Sequence, residues 1–533
     1  MTSEAQAQPR WTFSMFIIVL ATSIPFVVTG VDPLLLSLNL PAIRQDLGIP
    51  VDLVGFTGSI ATLVMAAAVL GVGNLGDLYG HKRLLIYGLI GNIVFQVLTA
   101  FSPNYQILIV MRFLDGLALT ALLGLSLALL TASVSAAMRP AAIGLFLAVY
   151  AIFTGIMPLI SGLAVGNFGW RSAFLICPVI SIVGLVLIAR FVPDPSAHNP
   201  NRKLDIGGIL LFGIGLLGIV YGIGQIQNGL TDPGTWIPLA IGVLALLGFV
   251  PWERRQREPA VDLALFLLPA FVVAILADAV LNFYSGGFGV LLGQFGTGVL
   301  GLSEAATGLI MIPSALAGAV GSILAGHLIP KYTNRVVMIV GLLILAASSI
   351  TMSFASPTMP VWLLTLAYIL VACGNASTQT SSSDVILGAA PPDRVGAVSA
   401  MKPAAGMTGY TLGPTIFVLL LNAFFSRAWF EDAEARGLTD QQAQNALDVA
   451  TQAAANSSPV VPYNPYLVQQ TVEVARADYS TGVMITMLII TVVPLIVAAL
   501  AYFLIPRYRQ QTTQLARAGG QETGQPGPAP ERP

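Results

Sequence analysis

The sequence predicts an all-α membrane protein of fourteen spanning helices, and three observations predict it. Of 533 residues, 56% are apolar and only 9% charged, against about 25% charged in an ordinary soluble domain. Apolar runs near 20 residues, the length a helix needs to cross about 30 Å of hydrocarbon, recur from residue 14 to residue 504. With the N-terminus cytoplasmic, 17 of the 24 Lys and Arg fall on the cytoplasmic side, five outside and two (Arg112, Lys402) within spans. This bias sets orientation and places both termini inside.

The same composition excludes a soluble enzyme, a disordered scaffold and a disulfide-stapled secreted domain. A net charge of −1 offers no basic footprint for nucleic acid. Cys177 and Cys373 lie in apolar runs and read as small hydrophobes. No His or Cys cluster has metal spacing, and neither a phosphate-binding loop nor a nucleophile motif is present. No cofactor is implied, so energy is expected from an ion gradient.

In chain order the spans fall at 14–38, 52–72, 84–101, 106–130, 142–166 and 171–191, then 207–227 and 235–251, then 263–292, 304–326, 336–355, 361–384, 396–424 and 480–504. Span 1 is longer than a signal-peptide core and lacks a small-x-small cleavage site, so it is read as retained. A glycine-rich turn with a basic end, Gly73-Asn74-Leu75-Gly76-Asp77-Leu78-Tyr79-Gly80-His81-Lys82-Arg83, joins spans 2 and 3. Gly326-His327-Leu328 to Arg335 repeats it 253 residues later, between spans 10 and 11. Span 5 carries Gly155 and Pro158, and span 13 carries Gly409, Gly413 and Pro414; the two prolines are offset by 256 residues. Spans 1–6 and 9–14 therefore read as parallel six-helix halves. Spans 7 and 8 remain as an inserted pair, bounded by the polar stretches Asp194–Asp205 and Trp252–Asp262.

The resulting units are 1–195, a first half; 196–262, the inserted pair with its linkers; 263–506, a second half; and 507–533, a Gln-, Gly- and Pro-rich tail expected to be disordered on the cytoplasmic side. The second half includes an outer loop, 426–479, with seven acidic and three basic residues. Thr439-Asp440-Gln441-Gln442 there has the form of a capping box opening a helix to about residue 455. That loop is either plainly solvated or a docking surface for a periplasmic partner.

The turn from Gly73 to Arg83 resembles the signature loop of the major facilitator superfamily, and fourteen spans resemble its drug:proton antiporter branch. Supporting marks are Asp32 with Asn39-Leu40-Pro41, Arg112-x-x-x-Gly116, Asp205-Ile206-Gly207-Gly208 and the run from Trp252 to Pro259. The resemblance implies the major facilitator fold, with two halves rocking about a central cavity. It also implies that Asp77, with Gly73, Gly80, Lys82 and Arg83, latches the outward-open form. The family usually has arginine at the positions of Leu78 and His81. On physical grounds the glycines permit a tight turn, Asp77 accepts from a helix N-terminus or an arginine, and Lys82 and Arg83 meet lipid headgroups; otherwise the segment is only a topological turn. His81 is expected at headgroup level. In span 5, Met157 stands where the family's antiporter motif has a glycine before Pro158, and Ser161-Gly162 stands for its glycine pair. Gly155, Pro158 and Gly162 then serve close helix approach, as Gly413 and Pro414 do in the second half.

Ionisable groups in hydrocarbon cost about 2.5–3.5 kcal/mol each and usually face a cavity or a partner. Here they are Asp32, Arg112, Asp115, Asp278, Asp384 and Lys402. Asp278, about fifteen residues into span 9, lies on one face with Asn282 and Ser285, either as a proton carrier or as a fixed polar contact. Asp32 matches the branch's first-span acid. Arg112 and Asp115, three apart, either pair statically or exchange partners during a cycle; the family usually has Gln at the second position and implicates the arginine in proton transfer. Asn375, Gln379 and Ser382, at helical spacing, are expected to extend the cavity in span 12, and Lys402 to snorkel toward the cytoplasm.

The expected function is proton-coupled efflux of lipophilic or amphipathic small molecules, multidrug and antibiotic export included, across a bacterial inner membrane by alternating access. A selective exporter of one metabolite or lipid, or a proton symporter for uptake, is the alternative.

Overall fold

The structure, a computed structural model, describes residues 12–193, 205–225, 229, 231–256, 259, 261, 263–302, 304–390, 395–454 and 465–505. Six helices form the first half: α1 (Phe13–Leu47), α2 (Val51–Tyr79), α3 (His81–Ala100), α4 (Tyr105–Ser133), α5 (Arg139–Phe168) and α6 (Ala173–Phe191). The inserted pair is α7 (Ile206–Gly224) and α8 (Pro233–Glu253). The second half comprises α9 (Pro269–Gly293), α10 (Glu304–Met352), α11 (Val361–Gly388), α12 (Val395–Ala435), α13 (Asp440–Ala454) and α14 (Pro465–Leu504). No strand occurs among the described residues.

Local chemistry sets the helix ends. The Thr12 hydroxyl accepts from the Met15 amide at 3.3 Å and the Asn104 side chain from the Ile107 amide at 2.9 Å, each satisfying an orphan donor. Gly48, at φ 65°, ends α1, and Gly80, at φ 97°, separates α2 from α3.

Thirteen helices among the described residues are long and apolar enough to cross a membrane. One of them, α10, has 49 residues, which at about 1.5 Å per residue is twice a bilayer's needs. It is broken at Thr333, whose φ of 78° no helix accommodates. It therefore makes two crossings, and the expected fourteen are reached.

Each half has its own apolar core. Val27, Leu35, Leu85, Leu122, Met157 and Cys177 belong to the first, and Phe271, Tyr284, Leu342, Leu364, Phe417 and Met487 to the second. The halves meet along α5 and α10. A Cβ on Gly144 would collide with the Ser322 carbonyl and lie 3.2 Å from Gly326 Cα, while one on Gly155 would collide with Ala315. Only glycine allows such approach. Gly162 and Gly166 continue the same stripe, yet both are exposed with nothing within 4 Å. The halves thus close toward the face bearing Lys82, Arg83 and Arg335, called here the basic face, and part toward the opposite one. α12 closes a second seam near the basic face: Ser399 donates to the Gly124 carbonyl at 3.0 Å, and Ala404 packs among Leu63, Ala66 and Val69 of α2. Leu216 of α7 joins that cluster, so the inserted pair covers the junction.

The segment 426–479 differs from an open loop. α12 runs on to Ala435, and α14 begins at Pro465. Between them the expected capping box forms: Gln442 Oε1 accepts from the Thr439 amide at 2.9 Å, and Thr439 Oγ1 accepts from the Gln442 amide at 3.4 Å. α13 then packs on Trp429 and Ala433, with Trp429 Nε1 donating to the Ala443 carbonyl at 3.1 Å. Burial of these apolar groups makes a helical cap. The tail 507–533, most of the linker 194–205 and residues 455–464 lie outside the described residues.

Candidate functional site

Four helices of the first half converge on one charge cluster. Arg112 of α4 reaches Asp32 of α1 through both terminal nitrogens, Nη1 to Oδ1 and Nη2 to Oδ2, each at 2.7 Å. This fork is the strongest ion-pair geometry a carboxylate accepts. Nη1 also donates to Asp115 Oδ2 at 3.1 Å. On α3, Asn92 donates to Asp115 Oδ1 at 2.8 Å, and Gln96 donates to Asp115 Oδ2 at 2.8 Å and to Asp32 Oδ1. Ser181 of α6 donates to Asn92 Oδ1 at 2.7 Å, and the Phe174 ring lies 5.9 Å from the guanidinium. Arg112 and Asp115 are fully buried, and Asp32 is 1% exposed. Two carboxylates share one guanidinium, so the cluster carries an uncompensated negative charge when both acids are ionised. A low-dielectric interior makes that expensive.

A second centre lies in the second half. Lys402 Nζ of α12 is 2.9 Å from Asp278 Oδ1 of α9, and the two are 6% and 1% exposed. Lys402 therefore does not snorkel: a buried carboxylate offers it more than the interface does. Ser382 of α11 donates to the same oxygen at 3.3 Å, and Asn282 donates to Oδ2 at 3.3 Å. Gly406, one turn beyond Lys402, makes room; a Cβ there would stand 2.9 Å from Asn282 Nδ2 and 3.0 Å from Asp278 Oδ2. A polar lane leads away from this centre, with Asn375 donating to Ser285 Oγ at 2.8 Å. Gln379, one turn from Asn375 on α11, is half-buried and accepts at its backbone from Ser382 and Ser383.

The depths of the two centres differ. α9 begins at Pro269, so Asp278 is nine residues in, about 14 Å from the basic-face end rather than fifteen residues deep. Asp32 is nineteen residues into α1, about 28 Å along it. The first centre thus sits toward the open face and the second toward the closed one.

The turn between α2 and α3 holds together differently from expectation. His81 is buried, not at headgroup level, and its Nε2 lies 2.9 Å from Asp77 Oδ1. Lys82 turns inward to donate to the Val192 carbonyl at 2.6 Å and to Ala189 at 3.3 Å, satisfying the end of α6 instead of lipid headgroups. Its repeat counterpart Arg335 donates to the Ile505 carbonyl at 3.2 Å, at the end of α14. Gly73 is buried in α2, and Arg83 is exposed. Gly413 packs on the Phe283 carbonyl, and Pro414 lies against Gly286, so this motif fastens α12 to α9 of its own half while Gly155 faces the other half. Gly162 makes no close approach, and Ser161, at the position before it, accepts from Asn39 Nδ2 at 3.3 Å. The side chain of Pro158 lies outside the described residues. No metal-holding group of acids, histidines or cysteines occurs among the described residues.

Of the residues anticipated from the sequence, Asp32, Arg112 and Asp115 meet in one place, and Asp278, Asn282, Ser285 and Asn375 in another. Asn92, Gln96 and the pairing of Lys402 were missed. Two amides one turn apart in the apolar run of α3 were the available signal for the first two; for Lys402, only the fold reveals the partner.

Known proteins share this architecture. The chain is 27% identical over 495 residues to multidrug resistance protein Stp of Mycobacterium tuberculosis, covering 92% of each. It is 27% identical over 483 residues to multidrug efflux pump LfrA of Mycolicibacterium smegmatis, covering 90% of this chain and 94% of that one. Over 427 residues it is 29% identical to methyl viologen resistance protein SmvA of Salmonella typhimurium, covering 78% and 84%. The proton:xylose symporter XylE, a solved structure with 14% identity, superposes with a TM-score of 0.59 over 92% of this chain and 96% of that one. The family model of the Major Facilitator Superfamily matches residues 11–414, and with the fold, the repeat and the split halves in agreement the chain belongs to that superfamily.

Proposed function

We propose that the chain is a proton-coupled exporter of lipophilic or amphipathic small molecules, drugs included, working by alternating access in a bacterial inner membrane with its basic face cytoplasmic. The carrying observation is the charge imbalance of the first centre: Asp32 and Asp115 against Arg112 alone. A buried cluster of that composition favours holding one extra positive charge, and a proton is the one that fits a fully packed site. Relatives named for multidrug efflux support the substrate class. The closed basic-face seam and the open stripe at Gly162 and Gly166 support an outward-facing state, in which a proton enters from outside. Asp278 and Lys402 form a charge-balanced pair at the other depth; when the cavity opens inward, Asp278 is placed to exchange its lysine for a proton or a substrate's cationic group.

The test is a screen of lipophilic dyes and antibiotics in proteoliposomes under an imposed pH gradient. Efflux is expected to be gradient-driven, abolished by a protonophore, and accompanied by proton movement opposite to the substrate. Proton movement in the substrate's direction would mean symport, and gradient-independent flux would remove proton coupling.

A further inference from the structure

The two acids of the first centre are not equivalent, and their geometry separates their roles. Asp32 receives both terminal nitrogens of Arg112 at 2.7 Å, one per oxygen. That two-pronged, charge-assisted fork is the contact that most favours an ionised carboxylate. Asp115 receives a single, longer guanidinium contact at 3.1 Å, and its remaining partners are the neutral amides of Asn92 and Gln96. Arg112 thus holds Asp32 more strongly than Asp115, and a second anion at Asp115 lies buried against one longer guanidinium contact and two amide dipoles.

We propose that Asp115 carries the exchangeable proton of this cluster, with the Arg112–Asp32 pair as its fixed counter-charge. This rests on the proton-coupled reading above and assigns the proton within it. Around Asp115, α1 presents Asp32, α6 presents Cys177, Ser181 and the Phe174 ring, and α3 presents Asn92 and Gln96, while α2 brings Ala61 and Val64 against the neighbouring Gly116. Arg112 is the only cation among them. Gln96 adds a second observation: its Oε1 is buried with no donor. Turning that amide over sets an acceptor against Asp115 Oδ2, as a protonated carboxyl requires, and withdraws Nε2 from Asp32, which keeps both guanidinium nitrogens. Loading forms one O–H bond at Asp115 with a proton from water on the open side. Unloading returns the proton to water once the halves rock and the cluster is wetted; no other group of this cluster changes protonation.

The test is infrared difference spectroscopy between acid and alkaline pH on the full chain in lipid vesicles. The wild type is expected to show a protonated-carboxyl band that is lost in Asp115→Asn. Asp115→Glu is expected to keep the band at a displaced frequency, and Asp32→Glu to leave it in place. A band that moves in Asp32→Glu but not in Asp115→Glu overturns the assignment, as does an identical spectrum from wild type and Asp115→Asn. If the larger Glu prevents folding at the fully buried position, the isosteric Asn variant decides alone. These spectra need neither substrate nor gradient. A band at Asp115 without gradient-driven transport leaves the assignment standing and removes the export reading; transport with the band on Asp32 does the reverse.

Discussion

Thr333 repeats the backbone conformation of Gly80, 253 residues earlier: φ 78° and ψ 154° against φ 97° and ψ 128°. The repeat extends to function of position, since Lys82 and Arg335, also 253 apart, each hold the C-terminal end of the sixth spanning helix of their half. Only the glycine reaches that conformation freely. Thr333 is the sole non-glycine with positive φ among the described residues, and such a residue costs about 1–2 kcal/mol. Glycine gains unfolded-chain freedom that offsets about 0.4–1 kcal/mol of the relief. Thr333→Gly is therefore expected to raise stability by up to about 1 kcal/mol, read as a small rise in Tm in detergent; a lower Tm contradicts the strain.

The α5–α10 seam has no room for a side chain at Gly144 or Gly326. Gly326→Val is expected to wedge the halves apart at the basic face, exposing cysteines placed near Ser322 to water-soluble thiol reagents. Gly162→Val, on the open end of the same seam, is expected to leave that labelling unchanged. Equal labelling of wild type and Gly326→Val rejects the closed seam.

Removing one partner of a buried ion pair strands the other charge and costs about 3–5 kcal/mol, whereas removing both is often neutral. Lys402→Met alone is accordingly expected to lower thermal stability strongly at neutral pH, and Lys402→Met with Asp278→Asn to restore most of it. A single variant as stable as wild type means that the two side chains do not pair. Asp278→Asn is also expected to abolish coupled export while expression persists, and full transport in that variant removes Asp278 from the mechanism.

At the open face Asp46 accepts from Arg171 at 2.7 Å and from the Trp170 indole at 3.1 Å. These donors, the arginine first, hold its carboxyl below the ordinary 3.8. A depressed value means that the contact contributes fully above 3.8 and is lost as pH falls through the folded value. Asp46→Asn is expected to lower Tm slightly at neutral pH and not in strong acid. A deficit that persists in strong acid contradicts the electrostatic origin.

Hydropathy length and the repeat made the span count and the parallel halves legible, because lipid imposes one ruler on every helix. The capping box at Thr439 was legible for the same reason of local rule. The partners of Lys402 and Lys82 were not, because each lies on a helix distant in sequence, α9 for Lys402 and the end of α6 for Lys82; nor was the burial of His81, whose partner Asp77 is local. Headgroup and snorkelling expectations treat a basic side chain as if lipid were its only alternative. The triad Asp32, Arg112 and Asp115 was visible as three costly charges, but the α3 amides that unite it looked like ordinary polar interruptions.

Proton movement on substrate addition, followed with a pH-sensitive dye inside proteoliposomes, tests the central claim most directly, using a lipophilic dye that the wild type moves. Wild-type vesicles are expected to show protons moving against the dye, and Arg112→Met, which leaves both buried acids without their counter-charge, to show dye-dependent proton movement reduced to background. Unaltered proton flux in that variant would contradict coupling through this cluster.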